Sequence, residues 1–215
     1  MQAEVLESLK SAVTDYDTEG AAKWARKAVE QGVDPIEALD ALTEAMRQVG
    51  DGYERGELFL PDLVGAAEAT QVAMPVLQEE IENTGVERKP LATVVIGTVF
   101  GDIHNIGKSM ICGLLRAEGF EVHDLGIDVN SDVFMEAIRE HDPDILAMSA
   151  LTTMTAPQQG VVIDTLKEEG IRDRVKVMVG GGAITPEFAE TIGADGYAAS
   201  GPKAVALARK LVGAE

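Results

Sequence analysis

The residues best suited to chemistry lie in one glycine-flanked loop, residues 101–109, which follows an apolar segment. Asp102 and His104 lie two positions apart in this loop. A carboxylate that accepts the proton of one imidazole nitrogen fixes the tautomer and leaves the other nitrogen free to bind a metal. The spacing therefore favours a metal-ligand pair. For these two residues alone, a loop histidine that caps the following helix is an equally good interpretation.

The same loop ends in Gly107, Lys108 and Ser109, like a phosphate-binding P-loop. That motif requires four residues between its glycines, whereas five separate Gly101 from Gly107. Asp102 would also direct a negative charge at the phosphates, where backbone donors are needed. We therefore exclude a P-loop.

Zinc is a poor candidate for the metal because no set of four ligands is visible. The other histidines, His123 and His141, belong to different predicted elements. A metal that brings its own equatorial ligands needs only one from the protein, and corrins and haems both meet that condition. His104 would then be the axial ligand of such a cofactor.

Two further loops contain residues that suit a ligand site. Residues 148–155, after the third predicted strand, include a serine and three threonines. Threonines at the start of a helix are also ordinary N-caps. The fourth predicted strand ends in glycines 180–182. Such glycines permit a ligand to approach the backbone closely, and a tight turn would use them as well.

Residues 1 to about 85 are predicted to be helical throughout, because apolar residues recur at helical spacing. We expect four helices with short connections, which form a small bundle. Asp34 is a capping residue followed by a proline at the first helical position. Gly50 and Gly52 should weaken the third helix before a loop at Gly56, and Pro75 should kink the fourth.

After a polar linker at residues 87–90, short β-branched segments alternate with helices. The predicted strands are residues 92–99, 120–125, 145–149, 175–179 and 196–199, and the predicted helices are residues 106–118, 131–141, 156–169, 186–192 and 202–212. Such alternation forms a parallel sheet that is covered on both faces. We therefore predict an α + α/β chain, with a helical cap domain at residues 1–86 and a flavodoxin-like, five-stranded domain at residues 91–215. Its ligands should lie at the carboxyl ends of the strands.

The composition excludes several classes of partner. The formal net charge is −19, from 37 acidic against 18 basic residues, and such a surface repels the phosphates of nucleic acids. No stretch resembles a membrane span or a signal segment. A lone cysteine, Cys112, fits a reducing compartment. We expect a cytoplasmic protein that binds neither nucleic acid nor membrane.

Together, the three loops resemble the cobalamin-binding domain of methionine synthase, corrinoid methyl-carrier proteins and base-off mutases. The family's pattern is Asp-x-His-x-x-Gly, then Ser-x-Leu, then Gly-Gly. The matching residues here, each at the carboxyl end of a predicted strand, are Asp102, His104, Gly107, Ser149, Leu151, Gly181 and Gly182. The preceding helices, with Phe59-Leu60-Pro61, look like the helical cap of methionine synthase and the small corrinoid proteins. The resemblance therefore covers nearly the whole chain.

The resemblance implies a cobalamin or related corrinoid cofactor, such as methylcobalamin, whose cobalt takes His104 in place of the cofactor's own base. Asp102 would hydrogen-bond the other nitrogen of His104, and Thr155 would stand where methionine synthase completes this relay with a serine. Ser149 and Thr153 would contact the displaced base. The implied cofactor contacts are Gly101, Asp102, Ile103, His104, Asn105, Gly107, Ser149, Leu151, Thr153, Gly181, Gly182 and Gly201, with Phe59 and Leu63 of the cap on the upper face. Those two cap residues fit a bundle core equally well.

The implied function is that of a methyl carrier. A substrate-specific methyltransferase would load the cobalt, and an acceptor methyltransferase would pass the group to tetrahydrofolate or a thiol; a reductive activation protein is a third expected partner. The chain lacks the barrel of such enzymes, so we do not expect it to turn over alone. One alternative is the cobalamin-binding subunit of a mutase, which generally lacks the cap. The other is a cobalamin-dependent regulator, which the charge disfavours. The methyl donor stays open.

Overall fold

The computed structural model describes residues 2–84 and 89–214. The chain divides into two compact units, residues 1–89 and 90–215. Residues 87 and 88 of the predicted linker lie outside the described residues, so the linker itself stays a prediction.

The first unit consists of helices with short connections, as predicted. They are α1 (Gln2–Thr14), α2 (Thr18–Glu30), α3 (Pro35–Glu54) and α4 (Leu60–Thr84). Asp17 and Asp34 cap α2 and α3, because their side chains accept hydrogen bonds from the backbone N–H groups of Gly20 and Ile36. Within the described parts of the chain, no helix is both long and apolar enough to span a membrane.

Two glycines of α3 behave differently from the expectation. The helix continues through Gly50 and Gly52 to Glu54, and both glycines are buried. The carbonyl of Gly52 accepts the N–H groups of Glu57 and Leu58, as the chain turns back over the helix. A side chain at position 52 would lie 2.8 Å from a methyl carbon of Leu58. Tertiary packing therefore favours a glycine here, which offsets the low helix propensity of glycine. The helix α4 also continues through Pro75 to Thr84.

The second unit is the predicted flavodoxin-like domain, and this prediction is confirmed. Its strands are β1 (Thr93–Thr98), β2 (Glu121–Asp124), β3 (Ile145–Ser149), β4 (Lys176–Gly180) and β5 (Gly196–Ala198). The helices are α5 (Ile106–Ala117), α6 (Ser131–His141), α7 (Pro157–Glu168), α8 (Pro186–Ile192) and α9 (Gly201–Leu211), with a short 3₁₀ turn at Arg172–Arg174. All strand pairs are parallel, in the order β2-β1-β3-β4-β5.

The central strands β1, β3 and β4 are buried on both faces because they are apolar at most positions, whereas the edge strand β2 has no buried residue. Val94 packs into the cluster beneath α5 and α9, whereas its neighbour Val95 packs into the cluster beneath α6, α7 and α8. This alternation follows from the two-residue period of a strand. The alternation therefore determines which helices each side chain of the sheet packs against.

The order of the strands places a crevice between β1 and β3. The chain passes from β1 to β2 on one side and then returns to β3 on the other, which makes the carboxyl ends of β1 and β3 a topological switch point. Thr98 is in register with Ser149, and Ser149 with Gly180. The loops after β1, β3 and β4 therefore begin at the same level of the sheet.

Candidate functional site

Asp102 is the centre of the site, in the loop between β1 and α5. Its side chain is fully buried, and it accepts four hydrogen bonds. One carboxylate oxygen accepts the backbone N–H of His104 at 3.0 Å and the ring Nδ1 of His104 at 2.7 Å. The other accepts the backbone N–H of Leu151 at 2.8 Å and the hydroxyl of Thr155 at 2.6 Å. The carboxylate therefore joins the loops that follow β1 and β3.

The hydrogen bonds keep this buried carboxyl group ionised. Burial by itself would raise the pKa of Asp102. The bonds donated by Thr155, by the backbone of His104 and Leu151 and by the His104 ring outweigh burial, and they hold the pKa well below its usual range. A carboxylate that stays charged is a pure acceptor, so the proton of a neutral His104 ring belongs on Nδ1.

His104 is turned toward solvent on its other side. Its side chain is 51% exposed, and it lines a cavity. The backbone carbonyl of His104 accepts the hydroxyl of Thr98 at 3.1 Å, which ties the loop to the end of β1. With Nδ1 protonated, Nε2 presents a lone pair away from the carboxylate. This arrangement confirms the Asp102–His104 contact that the sequence predicts.

A second threonine extends the relay beyond the prediction. The hydroxyl of Thr155 donates a hydrogen bond to Asp102, so at its second contact it accepts a hydrogen bond from the Thr152 hydroxyl, at 2.8 Å. The backbone N–H of Thr155 also donates to the Thr152 hydroxyl, at 3.2 Å. Thr152 thereby orients the hydroxyl of Thr155, which in turn orients the carboxylate of Asp102. Sequence analysis did not identify Thr152, because the sequence does not show which of the three threonines in this loop contact one another.

A cavity of about 320 Å³ lies beside His104, on the sheet face that α5 and α9 cover. Its walls are mostly apolar and include Met110, Met148 and Met178. The predicted site residues that line it are His104, Gly107, Ser149, Leu151, Gly181, Gly182 and Gly201. Residues from all three family motifs therefore meet at one cavity.

The glycines after β4 have a structural reason of their own. Gly181 has φ +122°, and a Cβ there would lie 2.0 Å from the carbonyl oxygen of Ala150. The close approach of the loops after β3 and β4 therefore requires glycine with or without a ligand. At Gly182 the nearest obstacle is a side-chain methyl of Leu151, at 2.7 Å, which could move aside.

Several predicted contacts do not line the cavity. Ile103, Asn105 and Thr153 are exposed, and Gly101 donates its N–H to Asp128 at 2.7 Å. In the helical unit, Leu63 is fully buried, as a core residue is, whereas Phe59 is 70% exposed. The cofactor contacts predicted for these six residues, and for the residues that do line the cavity, stay predictions.

Exposed apolar side chains are frequent in the loop of His104 and in the neighbouring loops, and sequence analysis identified only two of them. They come from the loops after β1, β2 and β3 and from the first residue of α5, and are Phe100, Ile103, Ile106, Ile127, Leu151 and Met154. We call this set the apolar loop surface. The loops are joined by hydrogen bonds, since the Asp102 carboxylate accepts the N–H of Leu151 and the Asp102 backbone carbonyl accepts the N–H of Asp128. The signal in the sequence was the presence of large apolar residues in loops, where polar ones are usual.

A second ion pair lies beneath the same loops and was also missed. Lys108 is fully buried, lines the cavity and donates to Asp124 at the end of β2. Asp124 also accepts the thiol of Cys112 at 3.6 Å and the N–H of Gly126 at 2.9 Å. Burial, together with the charge of Asp124, raises the pKa of the Cys112 thiol to about 12, so this cysteine is not a nucleophile.

Gln159 braces the strands that carry two of the motifs. It is fully buried in α7, and its amide nitrogen donates to the carbonyls of Met148 and Gly180 at 3.1 Å each. Two carbonyl acceptors fix the orientation of the amide. Its oxygen has no hydrogen-bond partner among the described residues. No sequence motif marks such a contact, because it spans separate strands.

A bare metal ion has no ligand set here. In residues 2–84 and 89–214, no three histidine, cysteine or carboxylate side chains are grouped so that they could hold one.

Comparisons with known proteins identify the family. Two models that are both described as B12 binding domain match the chain, one at residues 5–78 and the other at residues 92–208. Trimethylamine corrinoid protein 1 of Methanosarcina acetivorans is 44% identical over 210 residues, which cover 97% of each chain. Dimethylamine corrinoid protein 2 of the same organism is 42% identical over 97% of this chain and 96% of its own.

A solved structure agrees with these relatives. A chain of the methanol:cobalamin methyltransferase complex of Methanosarcina barkeri superimposes with a TM-score of 0.84 at 31% identity, over 99% of this chain and 81% of that one. The predicted cobalamin or related corrinoid cofactor is confirmed by the two family models and these relatives. The chain therefore belongs to the family of corrinoid proteins that combine a helical and an α/β B12 binding domain.

Proposed function

We propose that this chain carries a methyl group on the cobalt of its corrinoid, with His104 as the lower axial ligand. The observation that carries the proposal is the half-exposed His104 ring, held by a buried carboxylate at the edge of an apolar cavity. The corrinoid supplies a cobalt atom that takes up and releases the methyl group. The chain's own residues provide the ligand, hold its proton in place and line the space around it.

The relay determines how strongly His104 can act as a ligand. Asp102 holds the proton on Nδ1, which leaves Nε2 as the donor atom and fixes the direction of its lone pair. Thr155 and Thr152 keep the carboxylate charged and fixed in direction. Adding a proton to Nε2 would remove the lone pair. Proton uptake by the pair can therefore accompany release of the ligand.

The remaining surfaces fit the rest of the cofactor. The cavity has apolar and methionine walls that suit an aromatic base, and Ser149 lines it with a hydroxyl group. No atom lies within 4 Å of a Cβ built at Gly107, so there is free space at that wall. The apolar loop surface, which lies in the loop of His104 and its neighbours, would suit one face of a macrocycle. We infer that the displaced base and its tail occupy the cavity in a base-off, histidine-on form.

The relatives favour methylated amines as the methyl donor. The two Methanosarcina relatives described above are named for trimethylamine and dimethylamine. A donor-specific methyltransferase would deliver the group, and a second methyltransferase would pass it to a thiol or to tetrahydrofolate. A reductive activation protein is expected as a third partner.

The ligand assignment is tested by reconstituting the apoprotein with hydroxocobalamin and recording its absorption spectrum. The wild-type protein should show the histidine-bound, base-off form, and His104→Ala should lose it. His123→Ala is the matched control, since His123 lies in the same unit but pairs with Glu121 at 3.2 Å. A His104→Ala spectrum identical to wild type would rule out His104 as the ligand.

The carrier role is tested with reduced holoprotein and trimethylamine labelled in its methyl groups. Label should bind to the protein only when a trimethylamine-specific methyltransferase is added. Equal labelling without that enzyme would contradict a pure carrier. Labelling that occurs only with labelled methanol and a methanol-specific enzyme would show that the methyl donor is methanol and not a methylated amine.

A further inference from the structure

The segment between β2 and α6 contains none of the family's motif residues, yet it holds the backbone of the site. Asp128 lies in this segment. Its side chain accepts the backbone N–H of Gly101 at 2.7 Å, and its own backbone N–H donates to the carbonyl of Asp102 at 3.0 Å. One residue thus contacts the chain on both sides of the Asp102 Cα atom.

These two contacts leave Asp102 little freedom. Its remaining backbone group, the N–H, donates to the carbonyl of Val99 at 3.1 Å. The backbone around Asp102 is therefore held at three points, two of which belong to Asp128. Because the direction of a side chain follows from its backbone, these contacts also set where the carboxylate meets the ring of His104.

The conformation of Asp128 makes this double contact possible. Its φ is +56°, in the left-handed region, which aspartate, asparagine and glycine tolerate better than other residues. The segment is fixed next to it, since the N–H of Val129 donates to the carbonyl of Thr98 and Val129 bridges to Val99. Asp128 therefore acts from a rigid position.

We propose that Asp128 is a positioning residue for the cobalt ligand. It fixes the backbone of Asp102, and through that carboxylate it fixes the tautomer and the direction of the His104 ring. The effect on the cofactor rests on the proposed function of His104. The effect on the tautomer concerns the apoprotein and does not depend on it.

Two substitutions separate the carboxylate from the backbone conformation. Asp128→Gly keeps the left-handed conformation and loses the acceptor, whereas Asp128→Asn keeps both. Asp142→Gly is the matched control. Asp142 is also an aspartate in the left-handed region, with φ +41°, but it ends α6 and binds Arg174.

The first measurement uses holoprotein. Absorption spectra give the ratio of histidine-bound to histidine-free cobalt, with His104→Ala as the histidine-free reference. Substitution of outer partners of a metal ligand typically costs 10–100-fold, so Asp128→Gly should lower the ratio about tenfold. Asp128→Asn and Asp142→Gly should stay near the wild-type ratio. An unchanged ratio in Asp128→Gly would overturn the proposal.

The second measurement uses apoprotein with ¹⁵N-labelled histidine. Nuclear magnetic resonance should show His104 protonated on Nδ1 in the wild type and a mixture of tautomers in Asp128→Gly. A residue with only a structural role would lower the melting temperature and leave the tautomer unchanged, which would contradict positioning. If wild-type holoprotein shows no histidine-bound cobalt, the proposed function fails, while the tautomer still decides the role of Asp128.

Discussion

Two acid–base pairs lie at the ends of neighbouring strands, and they are built in opposite ways. In the pair after β1, the acid is buried and the base is exposed: Asp102 has no exposed side-chain surface and His104 has 51%. In the pair beside β2 the base is buried and the acid is not: Lys108 has none and Asp124 has 27%. Both pairs lie within hydrogen-bonding distance, so contact alone does not distinguish them.

The number of partners of the buried member separates the two pairs. Buried Asp102 accepts bonds from Thr155 and from two backbone N–H groups in addition to the His104 ring. Buried Lys108 has only Asp124 as a hydrogen-bond partner among the described residues. The protein thus satisfies Asp102 without the histidine side chain, as the role that we propose for His104 requires. Lys108 and Asp124 depend on each other and hold α5 to β2.

The largest effect is expected from Asp124→Ala. This substitution leaves the buried ammonium group of Lys108 without its partner, and such a change typically costs about 3–5 kcal/mol. The free energy of unfolding of the apoprotein, measured with urea, should fall by about that amount. Lys108→Met is the matched control, because it removes the buried charge and leaves Asp124 in partial contact with water.

The same experiment can contradict the distinction between the pairs. Lys108→Met should change the free energy of unfolding by no more than about 1 kcal/mol, since an apolar chain of similar size replaces the ammonium group. If both substitutions destabilise equally, the loss comes from the broken contact between Lys108 and Asp124 and not from an ammonium group left without its partner.

The next effect concerns the other pair and tests whether Thr155 supports Asp102. Thr155→Val removes a hydroxyl donor to a buried carboxylate, and a hydrogen bond to a charged group is worth about 1.5–3 kcal/mol. Urea unfolding should show a loss in that range, whereas Thr155→Ser, which keeps the hydroxyl, should lose much less. Equal losses in the two variants would mean that the methyl group matters more than the relay.

A smaller effect should appear in the acid dependence of stability. Burial raises the pKa of Asp124, but the hydrogen bonds from Lys108 and Gly126 outweigh it and hold the pKa below its ordinary value. A depressed pKa stabilises the folded state above the unfolded value of about 3.9, and this contribution is lost as the pH falls through the folded value.

Lys108→Met removes the strongest cause that lowers this pKa. The free energy of unfolding, measured from pH 6 down to pH 3, should therefore fall less steeply in Lys108→Met than in the wild type. Parallel curves would mean that Lys108 does not set the acidity of Asp124.

The two pairs also show what a sequence can predict. Asp102 and His104 are near each other in the chain and belong to a known pattern, so their contact was predictable. Asp124 lies sixteen residues from Lys108, and the lysine had entered only as part of a rejected P-loop. The predicted strand and helix ranges were close to the observed ones because the periodicity that predicts them is local in the sequence. The roles of Gly52 and Gln159 were not predictable. Gly52 packs against Leu58, and Gln159 hydrogen-bonds to two separate strands.

The smallest effect on stability is expected from His104→Ala in the apoprotein. The substitution removes one of four donors to Asp102, and the backbone N–H at position 104 still serves the same oxygen. The ring is half exposed, so little packing is lost, and surface substitutions of this kind usually stay within about 0.5 kcal/mol. Urea unfolding should place His104→Ala near the wild type and far from Asp124→Ala. A loss as large as that of Asp124→Ala would show that Asp102 depends on the histidine as Lys108 depends on Asp124. His104 would then not be free to bind and release a metal without a cost to the fold.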